Sequence, residues 1–358
     1  MKYANLITIC CAMLLSSCVK GHLNTDDNPS GETAKDIIGW NVKTSGLETR
    51  ALVEDYVILR DACTQTQTQE AEKIGLLGKY TLDGSSEVVF DNVDLWWWTK
   101  EDGNPYNDIL GNMNHWNYAG EDVSWVNDAE YTFKAYFPKT KVELQAGSGA
   151  DRLLAVYDTE RSQYDFLVAH RQIRAREENP VNLNMEHTLA ALKFDFQFVE
   201  DGINDDLISC WLENHGANGF YTSSTLNFSN EIAWPKSSAA PVGTPIYYWE
   251  PFVPLAITGN KAVDAYSTSA ADDKGSLFTE NSGWLLVIPQ TSDVEGTLQL
   301  CFRTAISGDY IYRLNLPAYA FKAGYRYTYH VKMTATELSV ELSITDWNER
   351  KSSYEIEF

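Results

Sequence analysis

The sequence predicts an all-β protein built from β-sandwich units, and three observations carry that prediction. Short runs alternate between apolar and polar residues, most clearly over residues 323–358. There Tyr325, Tyr327, Tyr329, Val331 and Met333 alternate with Arg326, Thr328, His330 and Lys332, and Leu338, Val340, Leu342 and Ile344 alternate with Ser339, Glu341 and Ser343. Period two turns one row toward a core and the other toward water. The two runs, joined by Thr334-Ala335-Thr336-Glu337, read as an antiparallel hairpin. Aromatic residues make up 13% of the chain, with 20 Tyr and 11 Trp, which favours strands and large contact surfaces. Finally, roughly a dozen strand-like runs recur at short spacing with polar turns between them, the pattern of sandwiches. At 358 residues the chain has room for about two such domains.

The first 18 residues are a targeting segment: Lys2 gives the positive start and Leu6 to Leu15 a short apolar core. That core is too short to span a bilayer, which takes roughly 20 residues. It ends in Leu15-Ser16-Ser17-Cys18, which resembles a bacterial lipoprotein signal with Cys18 as the lipidated, palmitate-bearing first residue. The address implied is the cell outer membrane, with the lipid as anchor. Val19 to Lys35 is polar and reads as a tether. Ile38, Trp40 and Val42 then alternate with Gly39, Asn41 and Lys43, a short strand.

From Ala51 the period changes. Leu52, Tyr56, Leu59 and Cys63 fall at helical spacing, which predicts a helix over 51–63. Ile74 to Tyr80 is a strand interrupted by glycines, and Val88 to Val93 is another. Residues 94–128 carry Trp96, Trp97, Trp98, Trp116 and Trp125 with little periodicity and read as an aromatic, loop-rich region. Order returns at Glu130 to Pro138, then at Leu153 to Tyr157 and Asp165 to His170. The charged stretch Arg171 to Pro180 places a domain boundary at 179. His187 to Phe198 opens the second domain as one long strand, and Trp284 to Ile288, Thr297 to Phe302 and Tyr310 to Leu316 lead into the closing hairpin. Tyr354, Ile356 and Phe358 repeat the alternation once more, past Asp346-Trp347-Asn348, as a spare strand in need of a sheet.

Charge and motif exclude several functions. A net charge of −22 argues against nucleic acid, whose phosphates need clustered Lys and Arg, and against electrostatic adhesion to anionic lipid. The six His are scattered, with no HxxxH or HExxH spacing, so no metal ligand set is read. Asp102-Gly103-Asn104 with Asp108 lacks the full calcium-loop pattern. No nucleophile elbow, P-loop or Cys/His dyad is legible, so no catalytic residue and no cofactor is assigned. After Cys18, Cys63, Cys210 and Cys301 remain, an odd and widely spaced set that reads as buried free thiols.

Several stretches together resemble the bacterial fimbrillins, the type V pilin family. They are the closing AGYRYTYHVKM…LSVELSITDWNE, the segment WNYAGEDVSWVNDAEYTFKAYFP, the His187-Thr188-Leu189-Ala190 start and the Pro289-Gln290 pair after an apolar strand. The resemblance spans residues 36–358 and implies two tandem transthyretin-like β-sandwich domains, 51–179 and 180–358, after the 1–18 signal and a 19–50 tether and strand. It implies a structural subunit of surface fimbriae, in a homopolymer or a mixed pilus. It also implies assembly by β-strand exchange: a surface Arg-specific protease cuts between Arg50 and Ala51, the Ile38, Trp40, Val42 strand leaves, and the Tyr354, Ile356, Phe358 strand of another subunit enters. A host protein or glycan is the expected adhesion target. The alternative is an outer-membrane glycan-binding lipoprotein that stacks sugars on Trp96, Trp97 and Trp98, against the plain reading of those rings as packing.

Overall fold

The computed structural model describes residues 37–44, 59–65, 71–98, 115–146, 151–199, 204–216, 219–279, 281, 283–334 and 337–346. Almost all of them are strand, loop or turn. The first half holds β1 (Trp40–Thr44), β2 (Thr64–Gln65), β3 (Ile74–Leu82), β4 (Ser85–Trp98), β5 (His115–Tyr118), β6 (Glu130–Phe137), β7 (Glu143–Leu144), β8 (Leu153–Asp158), β9 (Leu167–Arg174) and β10 (Val181–His187). The second holds β11 (Ala190–Phe198), β12 (Asn204–Asn214), β13 (Ser223–Phe228), β14 (Ile232–Ala233), β15 (Pro245–Trp249), β16 (Leu255–Thr258) and β17 (Val263–Asp264). After the short helix α1 (Asp273–Leu277) come β18 (Leu285–Val287), β19 (Gln290–Ser292), β20 (Leu298–Thr304), β21 (Tyr312–Asn315), β22 (Tyr319–Phe321), β23 (Tyr325–Met333) and β24 (Leu338–Asp346).

The first sheet runs β2-β4-β3-β6-β9-β10-β1-β5, and β5 also pairs with β4. From β4 round to β5 it therefore closes on itself. Its inward rows make one core from Ile38, Trp40, Val42, Phe90, Leu95, Trp116, Tyr131, Phe133, Val181 and Leu183. Two local features shape it. Asp83 and Gly84, at φ 51° and 79°, form the two-residue turn that joins β3 to β4. Gly75 leaves room for a ring, since a Cβ there would lie 2.1 Å from the Tyr136 side chain.

In the second half, β17-β11-β23-β24 and β15-β12-β20-β21 face each other over Phe194, Phe196, Leu212, Leu300, Phe302, Tyr329 and Val331. The predicted alternation of β11 holds: Leu192, Phe194 and Phe196 are buried while Lys193, Asp195 and Gln197 are not. A smaller sheet, β14-β13-β8-β7, takes strands from both halves. Its Leu153, Ala155, Leu226 and Phe228 share a third core with Leu77, Tyr136 and Val168 of the first sheet and with Leu189, Ala191 and Leu286 of the second half.

Several expectations are corrected. The strand read at Val88 to Val93 runs from Ser85 to Trp98, so Trp96 and Trp97 lie on a strand and not in a loop. The predicted helix over 51–63 is seen at 59–62; residues 51–58 lie outside the described residues. The charged stretch after 170 is strand as far as Arg174, because Ile173 is buried while Gln172 and Arg174 face water. Asn179, where the boundary is expected, lies in the turn between β9 and β10, which pair in one sheet, and the boundary stays an expectation. The long strand expected over 187–198 is interrupted after His187, where the Thr188 amide donates to the Phe166 carbonyl at 2.9 Å and the chain passes to the next sheet.

Candidate functional site

β1 is the element around which the functional question turns. Five residues long, it lies parallel to β10 in the register Trp40↔Val181 to Thr44↔Met185. On its other side it meets β5 through a single pair, Trp40↔Trp116. It is thus the piece that closes the first sheet between β10 and β5. Its inward row, continued back to Ile38 just before the strand, is buried almost completely: Ile38 is 1% exposed, Trp40 4% and Val42 0%, and the strand expected at Ile38 to Val42 runs instead from Trp40 to Thr44. Burying each such side chain stabilises by about 1.5–3 kcal/mol. The Trp40 ring meets Phe90 at 5.4 Å and Phe133 at 5.0 Å, both edge-on. Among the described residues the Trp40 indole N–H finds no acceptor, which offsets part of that gain by about 1–3 kcal/mol.

Polar contacts fix where the strand enters. The Gly39 amide donates to Asn179 Oδ1 at 2.8 Å, and Asn179 Nδ2 donates to the Ile37 carbonyl at 2.9 Å. Gly39 has no Cβ, and one there would stand 3.2 Å from that Asn179 oxygen. The Ile38 amide donates to the Val123 carbonyl at 2.9 Å. On the outer face Asn41 Nδ2 donates to Asn182 Oδ1 at 2.6 Å. Asn182 is held in turn by Glu178, which also pairs with Arg171. Burial raises the Glu178 carboxyl, but the Asn182 amide donors and Arg171 outweigh it and hold its pKa below the ordinary value.

Beyond Thr44 the chain is next described at Leu59, which is buried with Cys63 in the same core. The predicted cut, Arg50 and Ala51, lies outside the described residues, as do Cys18 and the predicted donor Tyr354, Ile356 and Phe358. The described chain ends on β24. Its nine residues pair throughout with β23, from Tyr325↔Asp346 to Met333↔Leu338. Its other edge has no strand partner among the described residues.

The other candidates resolve as follows. Trp96 and Trp97 are half-buried, and Trp97 packs edge-on against Trp116 at 5.5 Å. Of Trp98 only the backbone is described, paired with His115. His187 sits beside Asp165 at 2.7 Å, and His330 bridges Asp195 at 2.7 Å and Ser343 at 2.9 Å, tying β11 to β24 across β23. Cys63, Cys210 and Cys301 are free and buried, and burial pushes all three thiols up. Among the described residues no group of three His, Cys, Asp or Glu is placed to hold a metal ion, and no helix is long and apolar enough to cross a membrane.

The profile of the fimbrillin-like family matches residues 62–347. The chain belongs to the fimbrillin-like family. Two solved structures share its fold: a fimbrial protein from Bacteroides vulgatus and a putative cell adhesion protein from Bacteroides ovatus. The first is 16% identical, covers 87% of this chain and 99% of its own, and superposes with a TM-score of 0.57. The second is 14% identical, covers 87% and 96%, and has a TM-score of 0.50. No curated protein matches the chain. Family membership gives this fimbrillin a cell-surface role as a fimbrial subunit that associates with other subunits. The parallel β1–β10 pair and the single β1–β5 contact become the features to explain in that role.

Proposed function

We propose that this fimbrillin polymerises by exchange of β1. A surface Arg-specific protease cuts between Arg50 and Ala51, in the only stretch between β1 and the next described segment. The tether and strand up to Arg50 then leave together. The opened slot exposes the unpaired edge of β10 and the pockets of Ile38, Trp40 and Val42, and bare strand edges over apolar surface bind a new strand readily. Tyr354, Ile356 and Phe358 of another subunit refill it, with main-chain bonds supplying affinity and the three pockets supplying choice. Before cutting, the chain is held to the outer membrane through lipid on Cys18. One observation carries the reading: the inward Trp40 and Val42 of the short β1 are almost wholly buried, with Ile38 just before them, yet the strand is connected to one neighbour by a single residue pair.

Low-dose trypsin on the purified, unlipidated precursor tests it, read by N-terminal sequencing and electron microscopy. The expected result is a new N-terminus at Ala51 and fibres that vanish when residues 354–358 are deleted. A precursor that resists cutting there, or fibres that persist without those residues, would sink the proposal.

A further inference from the structure

A second site lies away from β1. Between β13–β14 and the β19–β22 pair is an open cleft of about 510 Å³. Tyr221, Trp234, Pro289 and Phe321 form its apolar wall, and Lys236 and Lys322 stand exposed at its border. That volume falls within the range of small-ligand sites, about 300–1,000 Å³.

Its charge sets it apart. The chain has 50 acidic residues against 28 Lys and Arg, yet no carboxylate lines this cleft. Three other concavities among the described residues each carry at least one: Glu130 and Glu177 in one, Glu186 and Glu231 in another, Glu295 in a third. Elsewhere lysines face carboxylates, as in Lys139 with Asp94, Lys193 with Asp264 and Lys332 with Glu341. Among the described residues neither Lys236 nor Lys322 has an acidic partner. Two ammonium groups without a carboxylate partner, Lys322 lying over the Tyr325 ring at 5.6 Å, give this cleft a local positive charge that attracts an anion at short range against the net charge of the chain.

The wall is fixed in advance. Trp234 Nε1 donates to the Thr188 carbonyl at 2.7 Å, and the ring packs edge-on to Tyr157. The Tyr221 hydroxyl donates to the Pro289 carbonyl at 3.2 Å. The Gln290 amide is spent in holding the Tyr221 backbone, accepting at 2.9 Å and donating at 2.9 Å. Phe321 stacks on Tyr319 at 4.5 Å. Tyr221 and Phe321 are almost fully buried and form the floor, so the half-buried Trp234 is the ring left to face a sugar, and a ring locked in place loses little freedom on binding.

We propose that this cleft binds an anionic oligosaccharide, with Lys236 and Lys322 on its acid groups and Trp234 against a ring. The site does not depend on strand exchange. The test is calorimetric titration of the purified precursor at low and high salt with four probes: trigalacturonate, a sulfated disaccharide, neutral cellotriose, and the peptide Tyr-Glu-Ile-Glu-Phe copied from residues 354–358. Saturable binding of the carboxylated or the sulfated sugar is expected, the two arms telling which acid is read. It should weaken with salt and fall about tenfold in each of Lys236→Ala and Lys322→Ala, the loss of one charge-assisted contact. Both lysines are exposed, so the variants should fold, which unfolding midpoints check. Binding of neither anionic sugar, equal binding of cellotriose, anionic binding untouched by the lysine changes, or selective binding of the peptide would each overturn the proposal.

Discussion

β1 and β24 are held in opposite ways. β1 has five residues and is covered on both sides, and side chains hold it: Trp40 and Val42, with Ile38 just before the strand, vanish into the core while its link to β5 is one pair. β24 has nine residues and an unbroken ladder to β23, but its inward row is only half-buried and Ile344 is 55% exposed. Backbone pairing is insensitive to sequence, whereas pockets are selective. A strand held by pockets can be replaced only by one that presents matching side chains. A strand held by its ladder stays with its own hairpin. The difference separates a strand held mainly by pockets from one held mainly by its ladder.

The largest expected effect would break this contrast most directly. Trp40→Ala empties a pocket walled by Phe90 and Phe133 and should cost about 3–5 kcal/mol of unfolding free energy in urea. Leu342→Ala, on the half-buried row of β24, should cost about 1–2 kcal/mol. Equal losses at the two sites would mean that β1 is no more dependent on its side chains than β24.

A second test sharpens the comparison at the point where β1 enters. Gly39→Ala puts a methyl group 3.2 Å from Asn179 Oδ1 and displaces the pair of hydrogen bonds that register β1. The expected loss is about 1 kcal/mol, together with faster amide exchange in residues 40–44 and none in 338–346. Uniform exchange across both strands would show that entry contacts do not set the hold on β1.

How much of this was legible in the sequence depends on whether a local period carried it. The β23–β24 hairpin was readable because apolar and polar residues alternate without a break, and neighbouring strands in sequence are also neighbours in the sheet. The row Ile38, Trp40, Val42 was readable for the same reason. Its place in the sheet was not, because β1 pairs with β10, some 140 residues away, and nothing in a local pattern encodes a parallel partner at that distance. Trp96 and Trp97 misled in the other direction. Three consecutive large aromatics have no alternation, so the strand that carries them reads as loop. The cleft beside Trp234 takes its walls from two distant segments, and its two lysines are far apart in sequence, so only the fold brings them together.

A third test concerns the outer wall of the closed sheet, and it asks whether the slot is a local feature or depends on the packing behind it. Lys134 on β6 is 1% exposed, and its Nζ donates to the carbonyls of Asp151 and Phe228. Burial, aided by nearby Lys79, lowers its pKa from 10.5 to about 8. Between those two values the unfolded chain carries a proton that the folded chain lacks. Stability from this group therefore rises as pH climbs through that window, and below it the cost of burying the charge is present in full. The buried thiols of Cys63, Cys210 and Cys301 act in the opposite sense, because their folded pKa values lie above the ordinary 9.0. The informative quantity is therefore the difference between two proteins. Going from about pH 8 to about pH 9.5, the unfolding free energy of the native chain should rise relative to that of Lys134→Met. Cutting at Arg50 should not alter that difference if the slot is local, and should shrink it if loss of β1 loosens the sheet as far as β6.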